Sequence, residues 1–140
     1  MKKRGIIEMM KLVVAVITVL MSMVLFGCQS NIVAQEIESD EYTEEQLAAA
    51  VDVITDTFAN DFPQCTLQEI EYDEDYSESL EEMNKEMFAV DNAVVFTSTF
   101  VVDDDYVSGP LTAGMVYEDY EWTLTMDADG NWSLITSGYQ

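Results

Sequence analysis

Histidine is absent from this chain of 140 residues, and bases are nearly so: five Lys and Arg stand against 28 Asp and Glu. The bases are also unevenly placed. Lys2, Lys3, Arg4 and Lys11 precede Cys28, so residues 28–140 hold 27 acids and a single base, Lys85, for a net charge of −26. Such a field repels nucleic acid, anionic headgroups and wall polyanions over about 8 Å at physiological salt, and attracts cations or basic proteins. Nucleic-acid binding is thereby excluded. Plain solubility of an exposed domain accounts for the charge by itself; a basic partner or bound cations is the functional alternative.

Long hydrophobic runs are also missing. The uncharged run from Leu12 to Phe26 is 15 residues, short of the roughly 20 that span a bilayer and within the range of an export-signal core. It follows Lys2-Lys3-Arg4 and Lys11 and ends in Leu25-Phe26-Gly27-Cys28. That sequence has lipobox form: an aliphatic residue, a tolerant position, a small residue, then cysteine. The thiol of Cys28 is needed to take a diacylglyceryl group, and the small Gly27 gives a lipoprotein signal peptidase access to the bond. Two acyl chains anchor firmly where one does so marginally, at about 0.8 kcal/mol per buried methylene. The expectation is a signal peptide over 1–27 and a lipid-bearing Cys28 on the outer face of a cell membrane. Met9 and Met10 are alternative starts, since Met10-Lys11 before the same run also makes a short signal.

Only two cysteines exist. With Cys28 lipidated, Cys65 has no intramolecular partner, so no disulfide is expected. Cys65 opens an apparent strand and reads as a small buried hydrophobe. A catalytic thiol is disfavoured, since no histidine can act as its base and one lysine does little to lower its pKa.

Residues 28–41 are short, polar and acidic and read as a tether; the domain follows over 42–140. Thr43-Glu44-Glu45-Gln46 is a capping box, and Tyr42 with Leu47 fills the two places of a hydrophobic staple. Leu47, Ala50, Val51, Ile54 and Phe58 repeat at helical spacing up to a stop at Asn60 to Pro63. Residues 65–72 read as a strand whose apolar parity changes between Leu67 and Ile70, implying a bulge. Ser79 with Glu82 suggests a capping box for a second, shorter helix whose Leu80, Met83 and Met87 share a face. The four methionines after Cys28 are too scattered for a metal-binding box and read as core filling.

Ala93 to Val102 has the near-continuous apolarity of a central strand. Tyr120, Trp122, Leu124 and Met126 alternate with Glu121, Thr123, Thr125 and Asp127, one face buried and one wet. A two-residue Asp129-Gly130 turn would pair Asp127 with Trp132 and Thr125 with Leu134, setting apolar residues on the wet face. A three-residue loop of Ala128, Asp129 and Gly130 instead pairs Met126 with Trp132 and Leu124 with Leu134, with Gly130 left-handed in a G1 bulge. The pattern predicts an α+β domain: a long N-terminal helix on an antiparallel sheet of about four strands, with a short helix between the first two strands.

Several words of the chain carry a family likeness. They are Cys65-Thr66-Leu67, Tyr72-Asp73-Glu74, the strand after Asp91-Asn92-Ala93, Trp122-x-Leu124, Gly130-x-Trp132 and the closing Gly138-Tyr139. In this order, residues 43–140 resemble a family of short uncharacterised Gram-positive lipoproteins with a cystatin-like, nuclear-transport-factor-like cone fold. The chain departs from that family at Glu71, where relatives carry tryptophan, and in its Ser108 to Met115 loop, which lacks a polar glycine-rich run. The resemblance implies a fold and no activity.

The chemical constellations are weak. Asp127-x-Asp129-x-Asn131 begins like a calcium loop, but Gly130 falls at loop position 4 and Gly138 stands where a bidentate glutamate is needed. Asp103-Asp104-Asp105 is a candidate cation site at a strand end, with a solvated acidic loop as its plainer reading. Tyr106, Tyr117, Tyr120 and Tyr139 supply phenols for an isomerase or lyase pocket inside a cone, whereas Tyr120, Trp122 and Trp132 on one face read as core. The preferred expectation is a non-catalytic, cofactor-free module that binds a basic envelope protein or peptide, or divalent cations. The alternative is a small-molecule or isomerase-like pocket.

Overall fold

The computed structural model describes residues 39–139 together with the strand Val33–Ala34. The charged N-terminus, the apolar run and the lipobox of Leu25, Phe26, Gly27 and Cys28 lie outside the described residues. The elements run β1 (Val33–Ala34), α1 (Glu44–Asp61), β2 (Cys65–Glu71), α2 (Glu74–Phe88), β3 (Val94–Val102), β4 (Val116–Met126) and β5 (Trp132–Gly138). Strands β2 to β5 form an antiparallel sheet in sequence order, and β1 adds to its β2 edge. The chain is α+β, with a helix between the first two antiparallel strands. Among the described residues no helix is long and apolar enough to cross a membrane.

Helix α1 begins where its capping chemistry places it. Thr43 is extended (φ −73°, ψ 155°), its hydroxyl accepts the Gln46 amide at 3.2 Å, and Gln46 Oε1 accepts the Thr43 amide at 2.9 Å. Two of the orphan amide N–H groups at the helix N-terminus are thus satisfied before any packing occurs. Glu44 and Glu45 in the first turn suit the positive end of the helix dipole. Leu47, Ala50, Ile54 and Phe58 are buried against Leu67, Ile70, Val94, Phe96, Phe100, Val102, Trp122, Leu124 and Trp132. Each large side chain removed from water here contributes about 1.5–3 kcal/mol.

The β4–β5 hairpin takes the three-residue loop. Met126 pairs with Trp132 and Leu124 with Leu134, Gly130 has φ +86°, and its amide bonds the Asp127 carbonyl. The strand β2 carries its bulge between Leu67 and Glu69, which lets Leu67 and Ile70 both enter the core. Further irregularities lie between Thr123 and Leu124 opposite β5, and between Ser98 and Phe100 opposite β4. In the latter, Asp119 takes a left-handed conformation (φ 54°), which aspartate tolerates better than most residues.

Within the segment read as a tether, Val33 and Ala34 form β1 and pair in parallel with Glu69 and Ile70; a strand edge offers free backbone groups that even two residues can use. Two expectations are corrected. Helix α2 starts at Glu74, well before Ser79: Asp73 is its cap, accepting the Tyr76 amide at 2.9 Å, while the exposed Ser79 hydroxyl donates back to the Tyr76 carbonyl of its own helix at 2.6 Å. Finally, Met83 and Met87 are 46% and 61% exposed, and the buried residues of α2 are Ser77 and Asn84. Met115 is exposed too, so Met126 is the methionine that packs on the core.

Candidate functional site

Strand alternation gives the sheet two faces with different chemistry. On the α1 face, aromatic rings fill the space between helix and strands. Phe58 stacks on Phe62 at 4.9 Å, Phe100 on Tyr117 at 5.2 Å, and Tyr120 meets Trp122 edge-on at 5.3 Å. Both indoles find partners: Trp122 Nε1 donates to Ser98 Oγ at 2.8 Å and Trp132 Nε1 to the Gln46 carbonyl at 2.7 Å. The tyrosines expected to line a pocket are engaged with their own surroundings. Tyr117 accepts the Thr112 amide, Tyr139 donates to the Glu118 carbonyl and edges onto the Tyr120 ring, and the Tyr106 hydroxyl lies against Gly109.

The opposite face, expected to be wet, holds buried polar groups. Glu121 is 8% exposed and Thr123 fully buried, although both alternate away from α1. The first turn of α2 serves this face. The Tyr76 hydroxyl donates to Glu121 Oε1, and Ser77 Oγ accepts the Val95 amide at 3.0 Å. The bond to Glu121, then burial, pushes the Tyr76 pKa up to about 12, because ionising the phenol would lose the donor and place two anions together. Further along α2, Asn84 is fully buried. Its Nδ2 and Oδ1, with Glu121 Oε2 and Thr123 Oγ1, have no hydrogen-bond partner among the described residues. Isolation of this kind costs about 1–3 kcal/mol per group.

Asp103 is half-buried and Asp104 and Asp105 are exposed, in the loop after β3; the Asp103 amide bonds the Gln64 carbonyl, and its carbonyl accepts the Tyr106 amide. Among the described residues no group of three His, Cys, Asp or Glu is arranged to hold a metal ion. Asp127 accepts the amides of Asp129 and Asn131, both at 2.9 Å, so it closes the hairpin turn. Those bonds, led by that from Asn131, hold its carboxyl below the ordinary aspartate range. Cys65 is free and half-buried, and burial followed by the Asp103 charge pushes its thiol pKa up, away from a nucleophile's.

Lys85 is already committed. Its Nζ lies 2.8 Å from Glu82 and 3.9 Å from Glu81 on its own helix. The many carboxylates elsewhere in 28–140 therefore draw no second lysine or arginine from this stretch of the chain.

Sequence reasoning missed the Tyr76, Glu121 and Asn84 set because it began α2 at Ser79 and assigned the odd positions of β4 to water. Asp73, three residues before Tyr76 and a good capping residue, was the available signal. No protein-family profile matches the chain, and neither a curated protein nor a solved structure matches it.

Proposed function

We propose that this chain is a lipid-anchored, non-catalytic binding module on the outer face of a Gram-positive cell membrane, held through Cys28. Its domain is a cystatin-like cone in this reading, and its partner is a basic envelope protein or peptide. The observation that carries the reading is the charge: 27 acids and one base in residues 28–140, with that base paired on its own helix. The aromatic filling of the α1 face also supports it, since rings at 4.9 to 5.3 Å leave the sheet-and-helix interior occupied by the protein itself.

Crosslinking in the native envelope, followed by mass spectrometry, tests it. Recovery of a basic protein at defined stoichiometry is the expected result; recovery of the chain alone, with no response to added basic peptides, sinks it. One observation favours a small-molecule alternative on the face away from α1, not inside the cone: a buried carboxylate beside a phenol, Glu121 with Tyr76, the pairing that acid–base sites use. A thermal-shift screen of small neutral and cationic molecules addresses it, because a ligand bound only by the folded state raises the melting temperature.

A further inference from the structure

The two edges of the sheet are unlike. Strand β2 carries Glu69 and Glu71, and the chain covers it with β1. Strand β5 ends the sheet order, and among the described residues β4 is its one paired neighbour. Its seven residues, Trp-Ser-Leu-Ile-Thr-Ser-Gly, contain no charge and no proline. Proteins ordinarily blunt such an edge with a lysine, a proline, an inward charge or a cover, because its unpaired amides and carbonyls template another strand. Among the described residues the one protection is the irregularity opposite Thr123 and Leu124, which divides the edge into Trp132–Leu134 and Thr136–Gly138.

We propose that the free edge of β5 receives an extended segment of the basic partner as a further strand, with uncharged residues along the edge and lysines or arginines at its ends. This rests on the basic-partner reading and gives it a location. Backbone pairing supplies affinity in such strand addition, and flanking side chains supply selectivity. The flanks here are acidic. The exposed Asp127 and Asp129 stand in the turn that leads into β5, and the exposed Glu118 and Asp119 lie near its far end, where β4 pairs with Gly138. Seven residues of strand place these two groups about 20–23 Å apart. A second copy of the chain, paired edge to edge, is the other candidate occupant. It would bring a further −26 to the same acidic brackets, so charge selects a basic segment.

The test uses the full chain in detergent micelles and three synthetic peptides. The first has alternating Val and Thr between terminal lysine pairs; the second is the same peptide with alternate amides N-methylated; the third has glutamate for lysine. The expected result is binding of the first alone, with slowed hydrogen exchange of β5 amides. Ser133→Lys, an exposed position on the edge strand, should weaken that binding by about tenfold or more. If the lysine peptide and its N-methylated form bind equally and Ser133→Lys changes nothing, the edge site is overturned while the basic-partner reading stands. If the glutamate peptide binds as well as the lysine one, with β5 protected, strand addition stands and the basic partner falls. A doubled mass without peptide, with β5 already protected, identifies a second copy and overturns the proposal.

Discussion

Trp122 and Thr123 are neighbours on one strand, both fully buried, and they sit in opposite worlds. Trp122 faces α1, ringed by Phe58, Phe62 and Tyr120, with its indole bonded to Ser98. Thr123 faces the other way, and its hydroxyl meets no partner among the described residues. The α1 face is assembled for stability: its rings pack on one another and both of its indole N–H groups are bonded. The other face buries Glu121, Thr123 and Asn84 with atoms left over, a condition that a fold tolerates at a cost of about 1–3 kcal/mol per group. Burial alone therefore says little about what a residue contributes.

Mutations on the two faces should differ in sign as well as size. Trp122→Ala removes the largest fully buried side chain and should lower unfolding free energy by about 3–5 kcal/mol in a urea titration. Next comes Asn92, whose amide group clamps the hairpin: Oδ1 accepts the Met126 amide at 2.7 Å and the Thr125 hydroxyl at 3.2 Å, and Nδ2 donates to the Met126 carbonyl at 2.8 Å. Asn92→Ala should cost about 2 kcal/mol, at roughly 1 kcal/mol for each bond less what water recovers, with faster amide exchange in β4 and β5.

On the second face the direction reverses. Thr123→Val and Asn84→Leu keep volume and delete unpartnered atoms, so each should be neutral or stabilising by up to about 1–2 kcal/mol in the same titration. A loss of more than about 1 kcal/mol from either would mean that those atoms are satisfied by bound water, and the contrast between the faces would close.

The smallest effect is visible only at high pH. The Tyr76 phenol has its pKa raised from 10.0 to about 12 in the folded chain, first by the bond to Glu121. A group held protonated by folding contributes stability that is complete below its unfolded pKa and lost as pH rises through the folded value. Tyr76→Phe should therefore flatten the fall in stability between about pH 10 and pH 12. Tyr42, raised to about 12 by burial and then by Glu41, keeps its own share of that fall. Tyrosinate absorbance, followed alongside unfolding, checks both.

Much of the fold was legible because its signals are local. The Thr43 box needs four residues, and the hairpin register follows from parity and a glycine. The bulge in β2 shows in the spacing of Leu67 and Ile70. What escaped notice depends on partners far away in sequence. Ser79 and Asp73 are both acceptable caps, and the ordering of Tyr76 against Glu121, 45 positions away, accompanies the earlier start. Apolar periodicity chose Met83 and Met87 for the inner face of α2, whereas Ser77 packs inward to bind the Val95 amide. The site was less legible still, since carboxylates are so common in this chain that Glu121 is marked out only by its burial.

The pairing of Lys85 with Glu81 and Glu82 also governs how this molecule meets proteases and chemical probes. An enzyme that cuts after lysine or arginine finds, across residues 28–140, one bond to attack, and it lies inside the last turn of α2, guarded by acids. Amine-directed labels meet the same single side chain. Local unwinding of that turn thus becomes a readable event, since a nick or a label at Lys85 reports the opening of α2 with no competing signal from any other side-chain amine in that stretch.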